Sequence, residues 1–308
     1  MNKVLIIGGP TASGKSQLAL DAAEYFNGVI INADSQQVYK HIPILTACPS
    51  AEDKQKVSHR LYEIYEPSEV GSVVDWLNLA VAEIRNIWDE GKLPIVVGGT
   101  GLYIDNLLNG TTQIPQTPQH IREKISAQME EIGVNEMHRL LKKFDAPTAQ
   151  RLNPNDTTRI RRAFEVYEST GKKLSDWHGL PMLQKIPEAD FEVWKITPPQ
   201  EELDVRCYLR FDKMIQSGAL DEAQYIKSLD LPADLPAMRA LGLPELLDYL
   251  NDKCDLNEAV EMAKLHSRQY AKRQRTWFGN KLKANKVWEH CYDGDIETCD
   301  KKAVKKIF

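Results

Sequence analysis

A chain of 308 residues that is 42% hydrophobic and 27% charged has ordinary globular composition, with enough apolar material for one large core or two smaller ones. Its formal net charge of −5 excludes nucleic-acid binding through overall basicity, so any such contact must draw on locally concentrated positive charge. The cysteines, Cys48, Cys207, Cys254, Cys291 and Cys299, are odd in number and scattered, with no C-x-x-C pair; this argues against a disulfide framework or structural zinc site and fits a reducing cytosol.

Residues 3–7 read as a buried strand, short, β-branched and closed by Gly8-Gly9. Its apolar run Val4-Leu5-Ile6-Ile7 lacks the basic lead and longer core of a signal peptide. No segment reaches the roughly 18 apolar residues of a membrane span, so a soluble cytoplasmic protein is expected. Lys15 to Phe26 reads as a helix, with Leu18, Ala19, Ala22 and Phe26 on one face. Val29-Ile30-Ile31 is a second strand running into Asp34. Val73 to Trp88 is a helix with Val74, Leu77, Val81, Ile84 and Trp88 at three- and four-residue steps, and Pro94 to Val97 is a third strand ended by Gly98-Gly99. Strands alternating with helices predict an α/β core around a parallel sheet.

The texture changes near Ile114-Pro115-Gln116-Thr117-Pro118. From about 119 to 170 the chain is charged and helical, and Phe191 to Ile196 reads as a return strand. Residues 116–188 are therefore expected to form a helical insertion in a core made of 1–115 and 189–308. Beyond 200 the pattern is helical through a basic stretch ending near Lys286, and the tail past Trp288 has mixed charge and little pattern.

Gly9-Pro10-Thr11-Ala12-Ser13-Gly14-Lys15-Ser16 fits G-x-x-x-x-G-K-[ST], and it lies between a predicted strand and a predicted helix, the context that motif requires. The glycines let backbone N–H groups curl around phosphate oxygens, and the helix N-terminus adds partial positive charge. Lys15 would neutralise phosphate charge, and the Ser16 hydroxyl could ligate Mg²⁺. The motif specifies a polyphosphate and not which one. Asp34 closes the second strand, where ligands of open α/β sheets bind; it is equally placed to cap a turn. Gly98-Gly99-Thr100-Gly101 belongs to the same sheet edge, as part of the site or as a plain turn. Lys264, Arg268, Lys272 and Arg275 would form one stripe on a helix, and Arg159, Arg161, Arg162, Lys172 and Lys173 a second cluster. Each is a solvated face or an RNA contact, and two such clusters in an acidic chain favour RNA. Trp277 could stack on a base or fill a core.

The segments GPTASGKS, NADSQQVYK and PIVVGGTGLY, in this order and spacing, resemble the tRNA dimethylallyltransferase (tRNA isopentenyltransferase) family of bacterial type. So do Asn155 to Ala163, Thr170-Gly171-Lys172, Arg206 to Gly218, Ala240-Leu241-Gly242 and Lys272-Arg273-Gln274-Arg275-Thr276-Trp277-Phe278, and the likeness spans roughly residues 3–280. The resemblance implies a phosphate-loop α/β core with a helical insertion that grips tRNA. It implies transfer of a dimethylallyl group from dimethylallyl diphosphate to the N6 amine of the adenosine 3′ to the anticodon, with Mg²⁺, by a monomer. Gly9 to Ser16 would hold the diphosphate, Asp34 would be the general base, Thr100 would stand near the adenine, and Arg206 would steady the leaving diphosphate. Ser35, Gln36, Gln37, Thr158, Arg159, Ile160, Arg161, Arg162, Lys272, Arg273, Gln274, Arg275 and Trp277 would contact tRNA, together with Asp34 and Thr100. The chain departs from the pattern in four places: Gln36 replaces a methionine, Leu45-Thr46-Ala47-Cys48-Pro49 replaces a Gly-Thr-Ala-Lys-Pro, Ser58-His59 stands where a pair of histidines is usual, and Leu243-Pro244 follows Gly242.

Other classes share parts of this signature. A phosphate-loop kinase would use ATP and need no RNA-facing basic stripe. A prenyltransferase acting on free adenine nucleotides would need neither the insertion nor the basic helix. A non-catalytic RNA-binding protein would have no use for a carboxylate at the edge of the phosphate cradle.

Overall fold

The short apolar runs and amphipathic helices assemble around one parallel sheet in the computed structural model, which describes residues 2–294. Cys299 and the end of the tail lie outside the described residues. Six strands, β1 (Lys3–Gly8), β2 (Gly28–Asn32), β3 (His59–Arg60), β4 (Leu93–Gly98), β5 (Asp190–Ile196) and β6 (Lys286–Trp288), are arranged in the order β3-β2-β4-β1-β5-β6. Every pairing is parallel, with Ile6 level with Val96 on one side and Val193 on the other. The strands β1, β2, β4 and β5 and the helices α1 (Lys15–Phe26) and α3 (Val73–Asp89) match the sequence expectation.

Side chains of successive strand residues leave opposite faces. Val4 and Ile6 join Val29, Ile31 and Val96 beneath Trp76, Leu77 and Ile84 of α3. Leu5 and Ile7 join Ile30, Ile95 and Val97 beneath Leu18, Ala22 and Phe26 of α1. Burying each of these side chains contributes about 1.5–3 kcal/mol, which is why so uniformly apolar a run is central in the sheet. Between these elements lie α2 (Ala51–Lys56) and α4 (Gly101–Asn109), the latter directly after β4.

Asn109–Gln184 form a compact unit of their own. It holds α5 (Gln119–Ile132), α6 (Val134–Phe144), α7 (Ala146–Arg151), α8 (Thr157–Thr170) and α9 (Leu174–His178), packed on Ile125, Met137, Leu141, Ile160 and Val166. After β5 the remaining unit continues as α10 (Gln200–Gln216), α11 (Ala219–Ser228), a single 3₁₀ turn, α12 (Leu243–Leu250) and α13 (Leu256–Lys281). These helices enclose a third apolar cluster that includes Val38, Tyr39, Phe211 and Leu246. The N-terminus of α13 is closed by a capping box, Asp255 with Glu258.

Candidate active site

The phosphate loop turns through Ala12 at φ 63 and Gly14 at φ 89 before α1 begins. Only glycine fits at 14: a Cβ there would lie 2.2 Å from the Tyr292 carbonyl oxygen, in a left-handed backbone. Helix α1 has no side-chain cap and no acidic residue in its first turn, in contrast to α3 with its Ser72–Asp75 box. Its N-terminal amides and partial positive charge are left for an anion.

A cavity of about 260 Å³ opens on this loop. Ala12, Gly14, Lys15 and Ser16 line it, while Gly9, Pro10, Thr11 and Ser13 lie buried behind them. Arg210 enters from α10, and Ala19, Leu20, Ile30, Ala47, Tyr62 and Val97 give the cavity an apolar side. Burial pulls the Lys15 ammonium down to about 8; the carboxylate of Asp34 opposes this and the Arg210 guanidinium reinforces it. Arg210 is likewise lowered by burial and partly restored by Asp34. Two desolvated cations thus face one small cavity, an arrangement that a polyanion relieves. The Ser13 hydroxyl is buried behind the loop with no hydrogen-bond partner.

Asp34 lies just outside the cavity lining, close enough that its charge acts on both cations. Its position is fixed by Asn32, which is fully buried at the end of β2. The Asn32 side chain accepts from Asp34 N–H at 2.8 Å and donates to the Asp34 carbonyl at 3.0 Å and the Leu61 carbonyl at 3.1 Å. One carboxylate oxygen of Asp34 accepts from Gln36 N–H at 3.0 Å. Asp34 therefore does form a turn, with one oxygen; the other points toward Gly99, where an added Cβ would come within 3.2 Å of it. Thr100 begins the next loop and is stitched to Asp34's loop. Its hydroxyl accepts from Ser35 N–H at 2.9 Å and donates to the Ser35 hydroxyl at 3.2 Å. Strand order explains the meeting: β2, β4 and β1 are neighbours, so the segments after their carboxyl ends share one edge.

The resemblance between this site and known proteins runs the length of the chain. The profile of the IPP transferase family matches residues 37–281. A tRNA dimethylallyltransferase of Zymomonas mobilis is 43% identical over 305 residues, covering 99% of this chain and 96% of the relative. One of Rhodospirillum centenum is 43% identical over 281 residues, covering 91% of this chain and 90% of the relative. The chain belongs to the IPP transferase family. The solved tRNA isopentenylpyrophosphate transferase of Bacillus halodurans superposes with a TM-score of 0.69 at 34% identity, covering 100% of this chain and 95% of that one. A eukaryotic dimethylallyltransferase described as acting on tRNA superposes with a TM-score of 0.78 at 28% identity, covering 99% of this chain and 77% of that one.

Not all expected residues of this IPP transferase are placed alike. Arg206 pairs with Asp293 and does not line the cavity; Arg210, one turn further along α10, does. Gln36 and Gln37 are half-buried: the amide of Gln37 donates to the Thr46 and Ala47 carbonyls at 3.0 and 2.7 Å, holding the cavity wall. Cys48, where the family pattern has lysine, lines the cavity as a neutral thiol, pushed up by burial to about 12. Leu243 is buried in the helical cluster.

The basic clusters are more occupied than their sequence suggests. Lys264 bridges Asp212 and Glu261, and Arg268 pairs with Asp204 at 2.8 Å. The Arg275 guanidinium donates to the Pro198 carbonyl at 2.6 Å, leaving Lys272 and Arg273 as exposed cations without an ion pair among the described residues. In the helical unit, Thr158 and Arg159 are exposed, with Arg159 paired to Asp156 at 2.6 Å, while Arg161 and Arg162 approach Glu165. Ile160 has no exposed surface and belongs to the core of that unit, not to a contact surface. Trp277 is half-buried, its ring pressed on Gly101, and Gln274 is buried.

Arg210 and Asn32 are site residues that sequence reasoning missed. The i,i+4 spacing from Arg206 to Arg210 was the available signal for the first. For the second it was an asparagine two residues before a strand-end aspartate, where Asn competes for backbone hydrogen bonds.

Proposed function

We propose that this chain transfers a dimethylallyl group from dimethylallyl diphosphate to the N6 amine of the adenosine 3′ to a tRNA anticodon, releasing diphosphate. What carries the reading is one cavity lined both by a cationic phosphate loop and by apolar side chains, with the Asp34 carboxylate close enough to act on its cations. Its volume of about 260 Å³ is near the lower end of the range of about 300–1,000 Å³ usual for ligand pockets, as suits a small donor.

In this reading the α1 N-terminus, Lys15 and Arg210 hold the diphosphate, and Ala19, Leu20, Ile30, Tyr62 and Val97 receive the five-carbon chain. The adenine amine, a weak nucleophile, attacks the allylic carbon bonded to the diphosphate oxygen. The carbon–oxygen bond breaks and its electron pair leaves with the diphosphate. Asp34 orients the amine and takes the proton released as the carbon–nitrogen bond forms. The growing charge on the leaving oxygen meets positive groups already in place. Arg206, a turn away beside Asp293, would act on the diphosphate only by exchanging that partner.

Mg²⁺ fits this donor set: the Ser16 hydroxyl borders the cavity beside Lys15, and an ion that keeps most of its ligands as water and phosphate oxygen needs few protein groups. When bound it would offset diphosphate charge. Lys272 and Arg273 of α13, with Thr158 and Arg159 of the helical unit, would contact the tRNA backbone. In this reading the enzyme works in the cytosol and as a monomer, as the family resemblance implies.

The competing kinase reading is tested by donor choice. The purified protein with Mg²⁺ is given tRNA and either labelled dimethylallyl diphosphate or labelled ATP. Label from the prenyl donor should enter tRNA, with ATP left intact. Turnover of ATP without prenyl transfer would overturn the proposal.

A further inference from the structure

Gln274 belongs by sequence to the basic stretch of α13, where every polar side chain invites an RNA role. Its side chain is only 7% exposed and turns the other way, into the sheet edge. Its carbonyl oxygen accepts from Thr11 N–H at 2.8 Å, and its amide nitrogen donates to the Gly99 carbonyl at 2.7 Å. The amide orientation is dictated by its partners, since a backbone N–H needs the oxygen and a carbonyl needs the nitrogen. Thr11 lies in the phosphate loop after β1, and Gly99 in the loop after β4, directly before Thr100.

We propose that Gln274 is a positioning residue that sets the phosphate loop and the Asp34–Thr100 loops at their working separation. One side of the amide holds the loop that grips the donor. The other side holds Gly99, and the chain continues through Thr100, whose hydroxyl holds Ser35 and so the loop of Asp34. Gly99 is a glycine for this reason: a Cβ there would lie 2.4 Å from the Gln274 amide nitrogen and 3.2 Å from the free oxygen of Asp34. Gln274 and the base are therefore packed over the same backbone atom. Among the described residues Gln274 is the partner of Thr11 N–H, so removing the amide strands one buried donor and one buried acceptor at the loops that must stay in register. Buried groups left unpaired are costly, and reaction rates are sensitive to misplacement of reacting groups by about 1 Å.

The inference rests on the proposed prenyl transfer, and the test separates the two. Gln274→Glu keeps the shape. Ionised, the carboxylate still accepts from Thr11 N–H but repels the Gly99 carbonyl; protonated, its O–H donates to Gly99 as the amide did. The groups facing it are the Asp34 carboxylate from the loop after β2 and the Tyr270 hydroxyl from its own helix. Single-turnover transfer is measured for wild type, Gln274→Glu and Gln274→Met across pH, with tRNA affinity measured on the same proteins. The Glu variant should run about tenfold or more below wild type near pH 8 and recover to within a few-fold near pH 5.5, reading the ratio at each pH so that titration common to both cancels. Gln274→Met, matched in size and unable to pair, should be slow at every pH, and tRNA affinity should be unchanged in both.

A variant-to-wild-type ratio that does not vary with pH, or a Met variant within twofold of wild type, would overturn the positioning role. Weakened tRNA binding with normal turnover at saturation would return Gln274 to the RNA surface. Inorganic diphosphate affinity, measured by calorimetry on the same three proteins, supplies a readout that needs no acceptor. It should show the same pH-dependent loss in the Glu variant, and a flat ratio there refutes the inference even if wild type transfers nothing. Absence of transfer by wild type alone counts against the proposed function.

Discussion

Replacing Asp34 by Asn separates its two jobs. The turn to Gln36 N–H needs only one acceptor oxygen, which Asn retains at the observed 3.0 Å, and the Asn32 bonds go to the Asp34 backbone, which the substitution does not alter. Folding stability should therefore change by no more than about 0.5 kcal/mol, as for substitutions that leave packing and pairing intact. An amide cannot take the amine proton. Loss of a general base typically slows the chemical step about 10²–10⁴-fold, roughly 2.7–5.5 kcal/mol of barrier. Removing the negative charge also withdraws the group that holds up Lys15 and Arg210, so the Lys15 pKa should fall further and donor affinity weaken at alkaline pH. Asp34→Ala loses the turn bond as well and should add about 1 kcal/mol of destabilisation without a further large loss of rate. The assay is single-turnover transfer at saturating tRNA and donor, paired with a melting curve. An Asn variant within a few-fold of wild type, with an Ala variant that merely melts earlier, would show that Asp34 is only a turn residue and refute the reasoning.

Lys15 binds anions as a cation, and burial holds it at about 8, so affinity for inorganic diphosphate should be full below that pH and fall up to about tenfold per unit above it. Lys15→Met should bind weakly and without that dependence, and a flat wild-type profile in calorimetry would remove Lys15 from the donor contact. Lys272→Glu with Arg273→Glu should lower the slope of log affinity for tRNA against log salt by about two units, whereas Arg268→Glu, already paired with Asp204, should change it by less than about one. Equal slopes for the two variants would mean that pairing within the protein does not decide which cations meet RNA. Ile160→Ala should destabilise the protein by about 2–5 kcal/mol in denaturant titration, because its side chain is fully buried; an unaltered midpoint with weaker tRNA binding would put Ile160 on the surface instead.

The central strands and the phosphate loop were legible because their signals are local. A run such as Val4-Leu5-Ile6-Ile7 before a glycine-rich turn has few other uses, and Lys15 to Phe26 carries a clear helical face. Several short or weakly patterned elements escaped, α2 and α9 among them. Strand β3 is two residues long, β6 is three residues in a basic context at the sheet edge, and α4 begins in glycines that read as a turn although Tyr103, Ile104 and Leu107 bury one face. At the site, residue type located Lys15, Asp34 and Thr100, but direction did not follow from spacing. Lys264, Arg268, Lys272 and Arg275 share a stripe on paper, yet which of them is paired depends on where α10 places Asp204 and Asp212. Gln274 reads as one more polar residue of a basic helix, and only the sheet edge beneath it reveals the inward turn. Arg206 and Arg210 are one helical turn apart, and choosing between them requires knowing which side of α10 meets the cavity.

Whether this chain prenylates an adenosine in tRNA is decided by the identity of the acceptor. The protein is incubated with labelled dimethylallyl diphosphate and Mg²⁺, and with tRNA, AMP or no acceptor, and the labelled tRNA is digested to nucleosides and mapped. Label is expected in tRNA alone, on the adenosine 3′ to the anticodon, with diphosphate released in equal amount. Label on AMP at a comparable rate, or diphosphate released with nothing prenylated, would contradict the proposed transfer.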